Sequence, residues 1–223
     1  MSSKPILYEM DITPGSRAVK MVARVIGLNL DIVAIDLFAG EHLTEAFIKM
    51  NPQHTVPTLN DNGNIIWESS VICTYLIDKY AKNDELYPKD LYERAKCNQR
   101  LHFSDGILYQ RLRNCSMCIY AGGTEVPDKD IKNIQDAYEL METFLATDSY
   151  LVGDRLTVAD LCAIGLIGST HELYAPVTAN KYPKLLNWFD RMKSLPFYDE
   201  MEAPFVIKYK NVVESIRAKN SNK

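Results

Sequence analysis

NPQHTVPTLNDNGNIIWESS, residues 51–70, holds a proline-flanked turn, a tight hairpin and the start of a helix within one short stretch. Thr58-Leu59-Asn60 and Ile65-Ile66-Trp67 predict two short strands. The intervening Asp61-Asn62-Gly63-Asn64 carries an Asn-Gly pair that tolerates the positive φ of a hairpin turn. Beyond Trp67 the apolar spacing lengthens, so a helix is expected from near Ser69 to Tyr80, with Ser69 suited to cap it. Val56-Pro57 sits immediately before the first of the two strands.

Working outward, Ile6-Leu7-Tyr8 reads as a strand. Ala18, Met21, Val22 and Val25 recur at helical spacing within an amphipathic segment from Ser16 to Ile26. Gly27 suits its C-cap, and the β-branched run from Asp31 to Asp36 predicts a buried strand. With a middle helix around Leu43 to Lys49, the order becomes β-α-β-α-β-β-α, the arrangement of a thioredoxin-like domain. The polar segment 81–85, followed by Pro88, breaks the periodicity and marks a linker over 81–91. Beyond it everything reads helical, including a long helix from about Tyr92 to Tyr120 and a face of Ile131, Ile134, Tyr138, Met141 and Leu145. Thr157 to Asp160 fits an acidic capping box. The expected fold class is therefore an α/β thioredoxin-like domain over 1–80 and an all-α bundle over 92–223.

The chain has 223 residues, enough for two small cores, with 47% hydrophobic and 24% charged residues. A net charge of −4 with interleaved signs offers no basic stripe, which argues against nucleic acid as a partner. No apolar run reaches the length of a membrane span and the N-terminus lacks a signal-peptide core, so a cytoplasmic protein is expected. Five cysteines, mostly in apolar helical contexts, predict reduced core residues and no disulfide framework. Cys115-Ser116-Met117-Cys118 has redox spacing but lies mid-helix, where cysteines pack rather than react. With four histidines and no paired ligand spacing, no metal site is expected.

Four motifs in order, NPQHTVPTL (51–59), ES (68–69), LYPKD (86–90) and LTVADL (156–161), resemble the cytosolic glutathione transferases of insects, of the delta/epsilon type and most of all the epsilon class. The resemblance spans nearly the whole chain. It implies glutathione as co-substrate, a homodimer, and conjugation of glutathione to electrophilic hydrophobic molecules, with peroxide reduction as an associated activity.

The resemblance also implies residue roles. Thr55, Val56 and Pro57 would hold the cysteinyl part of glutathione through a backbone edge before a cis proline. Glu68 and Ser69 would take its γ-glutamyl amino and carboxylate groups, the latter at a helix start. His42 and His54 would lie near the glycyl carboxylate, and Arg113 would approach the tripeptide. The thiol-activating position falls in Thr13-Pro14-Gly15-Ser16-Arg17, where related chains carry a Ser-Pro-Pro-x-Arg pattern. Thr13 is the expected activator and Ser16 the reserve. Gly15 in place of the second proline predicts a looser loop. Ile12, Tyr109, Leu112, Ser116, Tyr120 and Phe205 would line the pocket for the second substrate.

Lowering a free thiol's pKa of about 8.5 by roughly 2 units takes about 2.7 kcal/mol. One charge-assisted hydrogen bond supplies about 1.5–3 kcal/mol, and a helix N-terminus adds roughly 0.3–1. A hydroxyl at Thr13 beside the first helix thus suffices without a metal. The competing expectation is a weakly catalytic carrier of steroids or other apolar ligands on the same fold, motivated by Gly15 and by threonine in place of serine. An interaction module is disfavoured by a chain that ends at Lys223.

Overall fold

Strand β1 (Ile6–Glu9) opens the chain, and the computed structural model describes residues 4–222. The outermost residues of the two expected domains, 1–3 and 223, lie outside the described residues. Helix α1 (Pro14–Ile26) begins with proline at its first turn, where a missing N–H costs nothing, and stops at Gly27 with φ 72°. Strand β2 (Asp31–Ala34), a 3₁₀ turn (Glu41–Leu43), α2 (Glu45–Met50), β3 (Thr58–Asp61), β4 (Asn64–Trp67) and α3 (Ser69–Tyr80) complete the first half. The sheet order is β2-β1-β3-β4, with β1 and β2 parallel and the other pairs antiparallel. Asn62 and Gly63 turn the hairpin with φ of 54° and 90°.

Two expectations about burial are corrected. The run from Asp31 is not a buried strand: β2 is exposed along its length, with Ile32 and Val33 at 46% and 39%. It stands at the sheet edge, paired on one side only, while α1 packs against α3 and the helical half. Val25 likewise ends exposed, whereas Ala18, Met21 and Val22 are buried as their spacing requires.

Beyond residue 90 the chain is helical: α4 (Leu91–Phe103), a π-helical stretch (Ser104–Tyr109), α5 (Gln110–Tyr120), α6 (Asp128–Phe144), α7 (Val158–Leu173), α8 (Pro183–Lys193), α9 (Tyr198–Met201) and α10 (Ala203–Ser221). The expected long helix is thus broken in its middle by a π segment. Such an inserted turn shifts the facing of every later side chain, and it is common where helices line sites. Helix α7 is buried almost throughout, from Val158 to Thr170. Its capping box forms as expected, with the Thr157 backbone N–H donating to Asp160 Oδ2 at 2.9 Å. Asp160 also accepts from Leu151 N–H and Trp188 Nε1, each at 2.8 Å, so the cap doubles as a buried hub for three segments.

The two halves are joined by a buried ion pair. Arg17 of α1 donates through Nε to Glu202 Oε2 at 2.8 Å, both side chains fully buried. The same guanidinium donates to Ile12 O at 2.6 Å and to Gly165 O and Ser169 Oγ on α7, each at 3.1 Å. A planar fork of five donors meets acceptors from three directions, a task lysine's point charge could not perform. Ile12 is thereby fixed immediately before Thr13.

Candidate active site

Thr13 lies at the end of the β1–α1 loop, half-buried, with its Oγ1 2.8 Å from Met10 O and 2.7 Å from Ser16 Oγ. It does not cap α1 through its side chain. Ser16 is fully buried and cannot meet a ligand directly, so its reserve role becomes that of a neighbour to Thr13. Gly15 does not loosen the loop. It sits in the first turn of α1, and a Cβ there would stand 3.0 Å from Ser69 Cβ and Oγ and 3.2 Å from Pro57 Cδ. Glycine therefore lets the starts of α1 and α3 approach.

A groove of about 630 Å³ runs between the halves past Thr13. His42, His54, Thr55, Val56, Pro57, Glu68 and Ser69 all line it, and the Val56-Pro57 peptide is cis. At one end the imidazoles of His42 and His54 stand 6.1 Å apart, with His42 Nδ1 buried and unpartnered. Ser69, at the start of α3, lines the groove too, and the first turn of that helix has no acidic residue. Glu68 holds φ 71°, a conformation that costs a non-glycine residue about 1–3 kcal/mol and is retained where surroundings require it. Gln53 braces it, donating from Nε2 to Glu68 Oε1 at 2.6 Å while accepting from Trp67 Nε1 at 3.1 Å.

The helical half contributes groove residues that sequence reasoning missed. Asp105 and His102 line it from the π segment and the end of α4. Burial raises the pKa of Asp105; Ser70's hydroxyl and His102 oppose the rise and the charge of Glu68 adds to it. The π segment carries Asp105 to the groove, and no local pattern in the sequence announces a π turn.

A second, apolar cavity of about 290 Å³ adjoins the groove. Thr13, Pro14, Leu37, His42 and Tyr109 line both, so the two spaces share a wall that includes Thr13. Ile12, Tyr109, Leu112, Ser116 and Tyr120 line the apolar cavity as expected. Phe205 does not. Its ring lies under the Lys20 ammonium, 4.9 Å from the centroid, and Tyr209, one turn further along α10, takes the place at the cavity. Arg113 borders the apolar cavity and is not among the residues lining the groove.

Comparison with known proteins agrees with this geometry. Residues 7–84 match the model for the glutathione S-transferase N-terminal domain, and residues 110–196 that for the C-terminal domain. Glutathione S-transferase 1 of Manduca sexta is 38% identical over 89% of this chain and 92% of its own length. The chain belongs to the glutathione S-transferase family. Among solved structures, an epsilon-class glutathione S-transferase from the housefly Musca domestica superposes with a TM-score of 0.90 at 38% identity, covering 96% of this chain and 98% of that one. A glutathione transferase homologue from Drosophila mojavensis with bound glutathione superposes equally well, TM-score 0.90 at 39% identity over 96% and 98% of the two chains. This transferase therefore stands among the insect delta/epsilon type, has the thioredoxin-like and all-helical halves of that fold, and uses glutathione as co-substrate.

Proposed function

We propose that this transferase conjugates reduced glutathione to hydrophobic electrophiles, as a homodimeric detoxifying enzyme of the cytoplasm with peroxide reduction as an associated activity. The observation that carries the reading is that a polar groove and an apolar cavity adjoin along a wall that includes Thr13. Residues 1–80 act as the glutathione half and 92–223, beyond the 81–91 linker, as the half that shapes the second site. The zwitterionic head of the tripeptide goes to Glu68 and the α3 N-terminus, its cysteinyl backbone to Thr55-Val56-Pro57, and its glycyl carboxylate to the two histidines. This places the thiol at Thr13, where a hydrogen bond and the N-terminus of α1 favour the thiolate. The thiolate attacks an electrophilic carbon held in the apolar cavity, and catalysis comes from positioning and from thiolate formation. Exposed Val71, Leu91 and Tyr92 supply apolar surface that a second copy can bury. Five free cysteines suit a reducing compartment.

The carrier alternative gains no support from Gly15, whose role is close packing. The decisive experiment pairs calorimetry of glutathione binding with turnover of 1-chloro-2,4-dinitrobenzene, for wild type and for the double variant Glu68→Ala, His54→Ala. Conjugation should be glutathione-dependent, and the double variant should raise the KM for glutathione at least tenfold. Tight binding without turnover of this substrate, of peroxides or of reactive aldehydes would overturn the enzyme reading in favour of a carrier.

A further inference from the structure

Three contacts from the head of α10 reach across to the loop that carries Thr13. Glu202, one residue before the helix, accepts from Arg17 Nε at 2.8 Å, and Arg17 Nη1 donates to Ile12 O at 2.6 Å. Three residues on, the Phe205 ring lies 4.9 Å from the Lys20 ammonium, which also pairs with Glu9 at 3.3 Å. Three further, Lys208 Nζ donates to Asp11 Oδ2 at 2.7 Å. Between Glu9 and Asp11 stands Met10, whose carbonyl accepts from both the backbone N–H and the Oγ1 of Thr13. One helix of the second half thus grips residues 9, 11 and 12, and Thr13 is the next residue. Glycines on α7 make room for the grip: a Cβ on Gly165 would stand 3.3 Å from Arg17 Nη2 and 3.4 Å from Glu202 Oε1, and one on Gly168 3.6 Å from Glu202 Oε1. Stability alone does not call for the outermost contact, because Lys208 is more than half exposed and such ion pairs contribute little.

We propose that Glu202 and Lys208 are positioning residues for thiol activation, which act through Arg17 and Asp11 to set the place of the Thr13 hydroxyl from the helical half. The proposal rests on the conjugation reading above, in which that hydroxyl donates to the glutathione thiolate. In the step concerned the S–H bond of glutathione breaks, its proton goes to solvent, and the electron pair stays on sulfur, where the Thr13 O–H meets it. A hydrogen bond weakens steeply as its length and angle leave the optimum. A loop that shifts slightly therefore favours the thiolate less. Neither Glu202 nor Lys208 lines the groove, so their influence on the thiol passes through the loop or through the field of their charges. These two routes differ in sign. Removing the Asp11 or Glu202 carboxylate takes a negative charge away from the thiolate's surroundings, which by field alone makes the thiol more acidic. Losing the grip on the loop makes it less acidic.

Ultraviolet titration of bound glutathione reads that sign, for wild type, Asp11→Ala, Lys208→Ala, Glu202→Gln and Thr13→Ala. Asp11→Ala and Lys208→Ala should both raise the thiol pKa, by about 0.5 unit, a loss of about threefold in turnover at pH 6 to 6.5. Agreement in direction between two opposite changes of charge is the signature of positioning. Glu202→Gln should raise it by about 1 unit, or about tenfold in turnover, while the KM for glutathione stays near the wild-type value. Shifts of opposite sign in Asp11→Ala and Lys208→Ala, or no shift in either, overturn the proposal and leave the contacts as a clamp between the halves. A folded Glu202→Gln that melts earlier with an unmoved titration also overturns it. Where Glu202→Gln does not fold, the exposed Asp11 and Lys208 variants decide. If Thr13→Ala moves the titration and the other three do not, this proposal alone falls. If Thr13→Ala leaves it unmoved, the role of the hydroxyl falls and this proposal with it.

Discussion

Replacing Thr13 by alanine should move the acidity of bound glutathione, and the size of the shift follows from the contacts of one hydroxyl. Thr13 Oγ1 is within 2.8 Å of Met10 O and 2.7 Å of Ser16 Oγ, yet it has a single hydrogen. In the free enzyme that hydrogen is shared between two acceptors, the Met10 carbonyl and Ser16 Oγ. A bound thiolate competes with both for the Thr13 hydrogen, and as a charged acceptor it takes it. A hydrogen bond to a charged group contributes about 1.5–3 kcal/mol, so its loss raises the thiol pKa by about 1–2 units. The α1 N-terminus remains in the variant and retains roughly 0.3–1 kcal/mol of the stabilisation. Well below the pKa, at pH 6 to 6.5, Thr13→Ala should lose about 10–100-fold in turnover, and the deficit should shrink steadily toward pH 9. The same shift should appear in an ultraviolet titration of bound glutathione, independent of any second substrate. Thr13→Ser should retain the wild-type profile, and Ser16→Ala should shift it by less than Thr13→Ala. A Thr13→Ala profile that superimposes on wild type would refute the assignment of the hydroxyl.

Two further outcomes concern stability. Asp61 is fully buried, and although burial alone would raise its pKa, hydrogen bonds from Lys79, Tyr75, Tyr80 and Asn62 outweigh that and hold it at about 2. A depressed folded pKa contributes stability above the unfolded value of 3.8 that is lost as pH falls through about 2. Melting of wild type should therefore weaken over that window by on the order of 2 kcal/mol, and Asp61→Asn should flatten the dependence. Glu202→Ala leaves the Arg17 guanidinium buried without its carboxylate, a change that costs about 3–5 kcal/mol in such settings. A fall in Tm of roughly 10 °C is expected, with Arg17→Met, Glu202→Leu together less damaging than Glu202→Ala alone. Equal melting of wild type and Glu202→Ala would contradict this.

Much of the molecule could be read along the chain because the features involved are local. The Asn62-Gly63 turn, Gly27 and the Thr157–Asp160 cap each act within a few residues, and the structure bears out each of them. The groove residues from 54 to 57 and 68 to 69 were legible for the same reason: the proline turn, hairpin and helix start that carry them are consecutive.

What failed were inferences about neighbours. Whether a β-branched strand is buried depends on what covers it, and β2 at the sheet edge stays exposed along its length. A helix face depends on every residue before it, and Asp105 reaches the groove from within the π segment. Phe205 and Tyr209 share a helix and a spacing of one turn, yet Lys20 from the other half covers the first and the cavity receives the second. Local backbone preference and consecutive motifs were enough to give the two-part architecture and to bring residues 54 to 57 and 68 to 69 into one stretch. Only the tertiary structure decided which side chains meet at Thr13, because that depends on how α1, α5, α7 and α10 pack across distances no local rule spans.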